Sequence, residues 1–275
     1  MYPIAETVKT VVACRRPTAR PRTGCRKLAP YMPTIKGTLS AFTARANAMM
    51  ITNIGPLTER AAGVLEEMGI DYEVLIIDDG STDGTREKAD ELAERYPGVR
   101  AIHHEVNKGY GGAVWTGLRS ASKDLVFFTD GDGQFDIREL KDFYEALNDY
   151  DAVLGYRIDR KDPPHRILFA KCWGMLIRML FGFRLRDLDC AFKLIRRDLI
   201  KDIEPECGGA MVTVELIARL SAKGFRYIEK GAHHYPRVAG EQSGGSPKVI
   251  LRAFKELFTT YGQLRGTLRE SRRNR

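Results

Sequence analysis

Between residues 56 and 155, short apolar runs and helical patterns take turns, and this alternation constrains the fold more than any other feature of the chain. Pro56 opens a stretch in which Leu57, Ala61, Val64, Leu65 and Met68 recur at helical spacing, and Gly69 ends it. Residues 73–77 form a short apolar run closing in acids, the pattern of a buried strand. Helices over 85–95, 112–121 and 137–147 then alternate with strands over 100–104, 125–129 and 152–155. This order predicts an α/β chain: a doubly wound, mostly parallel sheet with helices on both faces. Ligands of such sheets sit at the carboxyl ends of the strands, so those ends are where chemistry is sought.

The run at 72–77 ends in Asp78-Asp79-Gly80-Ser81. An acid there accepts hydrogen bonds from a base or a ribose, and Gly80 permits close backbone approach. The run at 125–129 ends in Asp130-Gly131-Asp132-Gly133-Gln134. Acids two apart on an extended segment face the same way. Hard carboxylates without His or Cys suit Mg²⁺ or Mn²⁺, which draw further ligands from phosphates and water. The loop Asn107-Lys108-Gly109-Tyr110-Gly111-Gly112 resembles a phosphate cradle ahead of a helix, though it is neither a Walker A nor a GxGxxG motif. His233 and His234 are adjacent, so on a strand they point oppositely and do not share an ion.

Taken together, YEVLIIDDGSTDGT, NKGYGGAVWTGL, DLVFFTDGDGQFD, DLDCAFKLIRRDL, VELIARLSAKGFR and HHYPRVAGEQS resemble the family 2 glycosyltransferases. Within that family the chain is similar to the dolichol-phosphate mannosyltransferase-like, polyprenyl-phosphate branch. The resemblance covers roughly residues 39–245. It implies a GT-A fold, a nucleotide diphosphate sugar donor and inverting transfer. It also implies that Asp78 and Asp79 hold the nucleoside; Asn107 and Gly109, in the loop read as a phosphate cradle, complete the expected donor set. Asp130, Asp132 and Gln134 match the metal and diphosphate motif, with Asp130 and Asp132 as metal ligands. Arg157, Arg166, Lys193 and Arg237 match cations near an acceptor phosphate. A lipid phosphate is already anionic and needs no base, whereas a hydroxyl acceptor on a glycan or small molecule does. Asp132, Asp189 and Glu215 are the candidate catalytic acids, the last two as possible bases. One stretch departs from the pattern: where the family carries a Pro-Ala-Tyr-Asn-Glu-like motif, this chain reads Phe42-Thr43-Ala44-Arg45-Ala46-Asn47-Ala48. A non-catalytic binding protein on the same fold is therefore a competing expectation.

Net charge is +8, with +7 in residues 1–36, +6 in residues 248–275 and −5 between them. Three segments are expected: a basic, Pro-containing disordered extension over 1–36, the catalytic domain over 37–247, and an amphipathic basic helix and tail over 248–275. The basic ends suit a membrane surface or plain solvation. Nucleic acid is not expected as a partner, because no stacking aromatics accompany the arginines. No run approaches the ~20 apolar residues of a membrane span. The five cysteines form no CxxC pair, which fits a reducing cytoplasm. A peripheral protein at the inner membrane face is the expectation. The apolar stretch from Arg166 to Phe183 reads either as a buried helix or as a helix lying on that surface.

Overall fold

The computed structural model describes residues 9–12, 39–40, 51–131, 133–159, 164–207, 209, 211–236, 247–267 and 269. In chain order these form β1 (Lys9–Val12), β2 (Leu39–Ser40), α1 (Ile51–Glu67), β3 (Val74–Asp78), α2 (Thr85–Arg95), β4 (Val99–His103) and α3 (Gly109–Ser120). Then follow β5 (Leu125–Asp130), α4 (Leu140–Leu147), β6 (Ala152–Ile158), α5 (Pro164–Phe181), β7 (Lys193–Arg196), α6 (Val212–Ala222), β8 (Tyr227–His233) and α7 (Pro247–Gln263).

All eight strands join one sheet, in the order β4-β3-β1-β5-β7-β6-β8, with β2 also pairing with β5. All five residues of β3 are buried, as an apolar run covered on both faces must be. Val74 and Ile76 point into one core, with Phe127 of β5 and residues of α1, α2 and α4. Leu75 and Ile77 point into the other, with Phe128 of β5 and residues of α3, α5, α6 and α7. The alternation along β3 and β5 thus welds helices to both sides of the sheet. Phe192 centres the first core: its ring meets Phe127 edge-on at 4.6 Å and Phe143 at 4.8 Å, offset geometries that aromatic pairs favour.

The sheet is more mixed than the alternation implies. Pairings β3–β4, β2–β5 and β6–β8 are parallel, while β1 runs antiparallel to β3 and β5, and β7 antiparallel to β5 and β6. The two reversed strands read KTVV and KLIR, too short and too charged to register as apolar runs. β1 also corrects the expectation for residues 1–36: four of them form a strand inside the sheet. α1 begins at Ile51 and contains Pro56 rather than opening on it; so early in a helix the ring costs one backbone bond. α3 begins at Gly109, so the loop glycines build its first turn. The divergent segment 42–48 lies outside the described residues.

Candidate active site

Register brings the expected strand ends together. Lys9 of β1 pairs with both Ile77 and Asp130. The ends of β3 and β5 are therefore level, two strand spacings or about 10 Å apart. β7 is antiparallel, so its start at Lys193 lies beside Phe128, near the end of β5. The turn 187–190 that precedes β7 therefore reaches the same edge. β8 runs parallel to β6 and delivers His233 opposite Ile158. The carboxyl edge of the sheet thus gathers 78–81, 130–136, 187–190 and 233–236.

The two adjacent acids at the end of β3 have different surroundings. Asp78 is fully buried. One of its oxygens accepts from Ser81 N (2.9 Å), and the other meets His103 Nδ1 (2.9 Å) and Arg86 Nε (3.4 Å). It is consumed by its own loop, by α2 and by β4. Asp79 is equally buried, and its Oδ1 takes His104 Nδ1 at 2.6 Å and Lys108 N at 2.8 Å. Its Oδ2 is buried with no hydrogen-bond partner. Burial raises the Asp79 carboxyl above its ordinary range, against the lowering pull of His104 and the Lys108 N–H. Gly80 follows with φ +76°, and a Cβ there would stand 3.1 Å from Asn107 N, so glycine lets the 106–109 loop close over the acids. Asn107 Nδ2 donates to Asp79 O (3.0 Å), and Gly109 N donates back to Asn107 Oδ1 (3.1 Å).

At the end of β5, Asp130 is half-buried and Asp132 lies outside the described residues. Gly133 has φ +72°, which turns the chain back so that Gln134 re-enters the sheet edge. Gln134 then clasps the segment after β8: its carbonyl accepts from Tyr235 N (2.8 Å), and its Nε2 donates to Tyr235 O (3.1 Å). That bond turns the amide oxygen of Gln134 away from the Tyr235 carbonyl.

The expected acceptor cations are placed otherwise. Arg157 forks onto Asp187, Nε to Oδ2 at 2.6 Å and the terminal nitrogen to Oδ1 at 2.8 Å. Burial works against the Arg157 charge, but the Asp187 bond and charge outweigh it and raise its pKa. Burial likewise opposes the Asp187 charge, and Arg157 with Lys193 lowers its pKa on balance. Lys193 is 1 % exposed, and its ammonium donates to the carbonyls of Leu188 (3.0 Å) and Cys190. Burial lowers the Lys193 pKa. An ammonium spent on two backbone carbonyls under the turn does not reach an acceptor phosphate. Two cations from neighbouring strands instead hold the turn that presents Asp189, which is exposed. The Arg166 side chain and Arg237 lie outside the described residues.

Glu215 is fully buried in α6. One oxygen accepts from Glu206 N (2.9 Å) and Arg219 Nε (2.9 Å), the other from Cys207 N (2.9 Å). A carboxylate occupied on both oxygens by a loop and an arginine is a clamp, not a base. His233 binds Glu139 (3.1 Å), and His234 stacks edge-on to Phe135. His103 and His104 were not among the residues read from sequence. Their signal was two histidines closing a strand beside one that ends in two acids.

Residues 55–204 match the family described as Glycosyl transferase family 2. The chain is 30 % identical over 201 residues to the undecaprenyl-phosphate 4-deoxy-4-formamido-L-arabinose transferase of Edwardsiella ictaluri, covering 72 % of this chain and 61 % of that one. It is 30 % identical over 156 residues to the dodecaprenyl-phosphate galacturonate synthase of Rhizobium johnstonii, covering 55 % and 46 %. It is 29 % identical over 203 residues to the undecaprenyl-phosphate mannosyltransferase of Micrococcus luteus, covering 69 % and 82 %. The chain thus spans less than two thirds of the length of the first two. Among solved structures, glucosyl-3-phosphoglycerate synthase from Mycobacterium tuberculosis, in complex with Mn²⁺ and UDP-glucose, superposes with a TM-score of 0.57 at 17 % identity, covering 78 % of this chain and 76 % of that one. That likeness establishes the GT-A fold. With the matched span covering more than half of its residues, the chain belongs to glycosyl transferase family 2.

Proposed function

We propose that the chain is an inverting glycosyltransferase that moves a sugar from a nucleotide diphosphate sugar to a polyprenyl phosphate at the cytoplasmic face of a membrane. The observation that carries this reading is the buried, unpartnered Oδ2 of Asp79, just past the end of β3, where Ile77 stands level with Asp130 across β1. An unsatisfied buried acceptor costs ~1–3 kcal/mol, a cost that a nucleobase N–H removes. A ribose and diphosphate then bridge to the Asp130 loop. The three relatives described above are named for a polyprenyl phosphate.

The donors at the Asp130 loop fit a hard divalent ion. Asp130 supplies a carboxylate, the tethered Gln134 an amide oxygen, and Asp132 belongs to the same motif. Among the described residues no three His, Cys, Asp or Glu side chains gather to hold an ion alone. Hard oxygen donors of this kind suit Mg²⁺ or Mn²⁺, which take their remaining ligands from phosphates and water. Such an ion supplies positive charge for the leaving diphosphate. The acceptor phosphate oxygen attacks without a base. With Arg157 and Lys193 committed to the turn, Arg166 and Arg237 are the cations proposed to hold it.

The surface supports a lipid-side acceptor. On α5, Leu168, Cys172, Met175 and Met179 recur at i, i+4, i+7 and i+11 and are all exposed, while Ile177 and Phe181 face the core. α7 packs against α5 through Trp173–Phe254 and Phe181–Tyr261 and exposes Phe258. Among the described residues no helix is long and apolar enough to cross a membrane; the stripe suits peripheral attachment.

The test is transfer from a panel of nucleotide sugars, with and without polyprenyl phosphate, by the wild type and by Asp130→Asn. Lipid-dependent nucleotide release that disappears with chelator and in Asp130→Asn is expected. Good transfer to a soluble sugar hydroxyl with none to the lipid would favour the second reading, in which the exposed Asp189 acts as base.

A further inference from the structure

Beyond the strand-end acids lies a chain of contacts outside the motifs read from the sequence. His104 follows β4 directly, is 4 % exposed, and joins two elements. Its Nδ1 lies 2.6 Å from Asp79 Oδ1, and its Nε2 lies 2.8 Å from Thr116 Oγ1 on α3. An ionised carboxylate only accepts, so Nδ1 carries the proton in this pair. On the same oxygen lands the Lys108 N–H at 2.8 Å. Asp79 is therefore asymmetric: Oδ1 takes two donors and Oδ2 takes none. The neighbouring pair differs, because His103 spans Asp78 and Asp90 and Asp78 has both oxygens engaged.

We propose that His104, braced by Thr116, is the positioning residue for nucleobase recognition: by filling Oδ1 it presents Asp79 Oδ2 alone to the base and so selects bases whose ring carries an N–H donor. Uracil and guanine have such an edge; the corresponding ring nitrogens of cytosine and adenine accept. Burial already raises the Asp79 carboxyl, and His104 is the strongest of the groups opposing that rise, so the same contact keeps Oδ2 an acceptor. The inference rests on the reading of Asp79 as the base-binding acid.

An amide at position 79 exposes the role of His104. In Asp79→Asn the donors His104 Nδ1–H and Lys108 N–H hold the amide oxygen on their side, which forces the NH₂ to the Oδ2 position. The site then offers a donor where it offered an acceptor. Calorimetric titration with UDP, GDP, CDP and ADP reads this directly. The wild type is expected to bind UDP or GDP about tenfold or more tighter than CDP and ADP, the size of one hydrogen bond to a charged group. Asp79→Asn is expected to reverse that order. His104→Phe is expected to lose the discrimination by weakening the favoured nucleotide about tenfold, and His104→Asn, which keeps a donor toward Asp79, to regain most of it. In Asp79→Asn/His104→Phe the reversal is expected to shrink, because the backbone N–H groups of Lys108 and Gly109 are then left to orient the amide without the histidine. A merely structural histidine would weaken all four nucleotides alike and leave the reversal in place.

If the wild type shows no preference among the four, the base-binding reading of Asp79 fails. If it prefers UDP or GDP and folded His104→Phe keeps that preference in full, the reading stands and the role of His104 is overturned. Should His104→Phe not fold, Thr116→Val carries the test: a drop of about threefold for the favoured nucleotide alone supports the brace, by the weakening of a single neutral hydrogen bond, and unchanged binding overturns it.

Discussion

Two carboxylates in this chain show how differently two equally buried acids can be satisfied. Asp79 and Glu215 are both fully buried. Asp79 keeps an oxygen with no partner, whereas both oxygens of Glu215 are taken by the Glu206 and Cys207 N–H groups and by Arg219. Glu215→Gln is therefore expected to lower stability by about 2 kcal/mol, the scale of a buried charge-assisted network losing its charge. The kcat of the folded fraction should stay at the wild-type value. Thermal denaturation together with active-site titration checks this; a folded variant with no turnover would return Glu215 to the catalytic set. The buried thiols are inert by the same argument, since burial pushes both Cys190 and Cys207 up to about 12.

At the scale of elements, the turn 187–190 depends on its cations. Asp187 and Arg157 are each about one-seventh exposed, and the Asp187 pKa is lowered in the folded chain. A lowered carboxyl contributes stability that is complete above the unfolded value of about 3.9 and is lost as pH falls through the folded value. Asp187→Asn is expected to cost about 3 kcal/mol at pH 7. The gap between variant and wild type should close as pH drops below about 4. Urea denaturation from pH 7 to pH 3 measures it, and a gap that stays constant would refute the pairing. β1 makes a second case: it pairs on both sides, with β3 and with β5. Deleting residues 1–12 is expected to expose two interior strand edges and cost several kcal/mol, about 1 for each backbone bond lost. A truncated protein with the full-length melting temperature would show that β1 adds nothing. These elements also mark how far the sequence could be read. β3 and β5 were legible because a strand covered on both faces writes an unbroken apolar run, and the acids at their ends were legible because such runs stop abruptly. β1, β7 and β8 were not. β1 carries one cation and β7 two, with two apolar residues each, and β8 is an edge strand of mostly half-buried residues. Lys193 was misplaced for a related reason: its pattern position is real, but only the turn's carbonyls, invisible in one dimension, show where its ammonium goes. The pairing of His104 with Asp79 spans 25 residues and depends on the parallel register of β3 with β4, which no local signal encodes.

For the whole molecule, charge and apolar surface favour the same kind of attachment. The body carries −5 and the ends +7 and +6, and the exposed stripe of α5 lies beside α7, which leads toward the basic end. Binding to anionic vesicles is expected at low salt and should weaken as salt rises, each basic residue near the surface adding about 1 kcal/mol. Met175→Asp/Met179→Asp is expected to reduce partitioning about tenfold or more, because two apolar contacts become repulsive. Co-sedimentation measures both, and salt-independent binding would point away from an anionic surface. The clamped turn has one more consequence. Arg157 and Lys193 grip Asp187 and the carbonyls of Leu188 and Cys190, while Asp189 stands exposed between them. The Asp189 charge acts on both of these cations as well, favouring their charged forms. A substitution that removes this carboxylate therefore changes what the turn presents and also weakens the hold of the two cations beneath it.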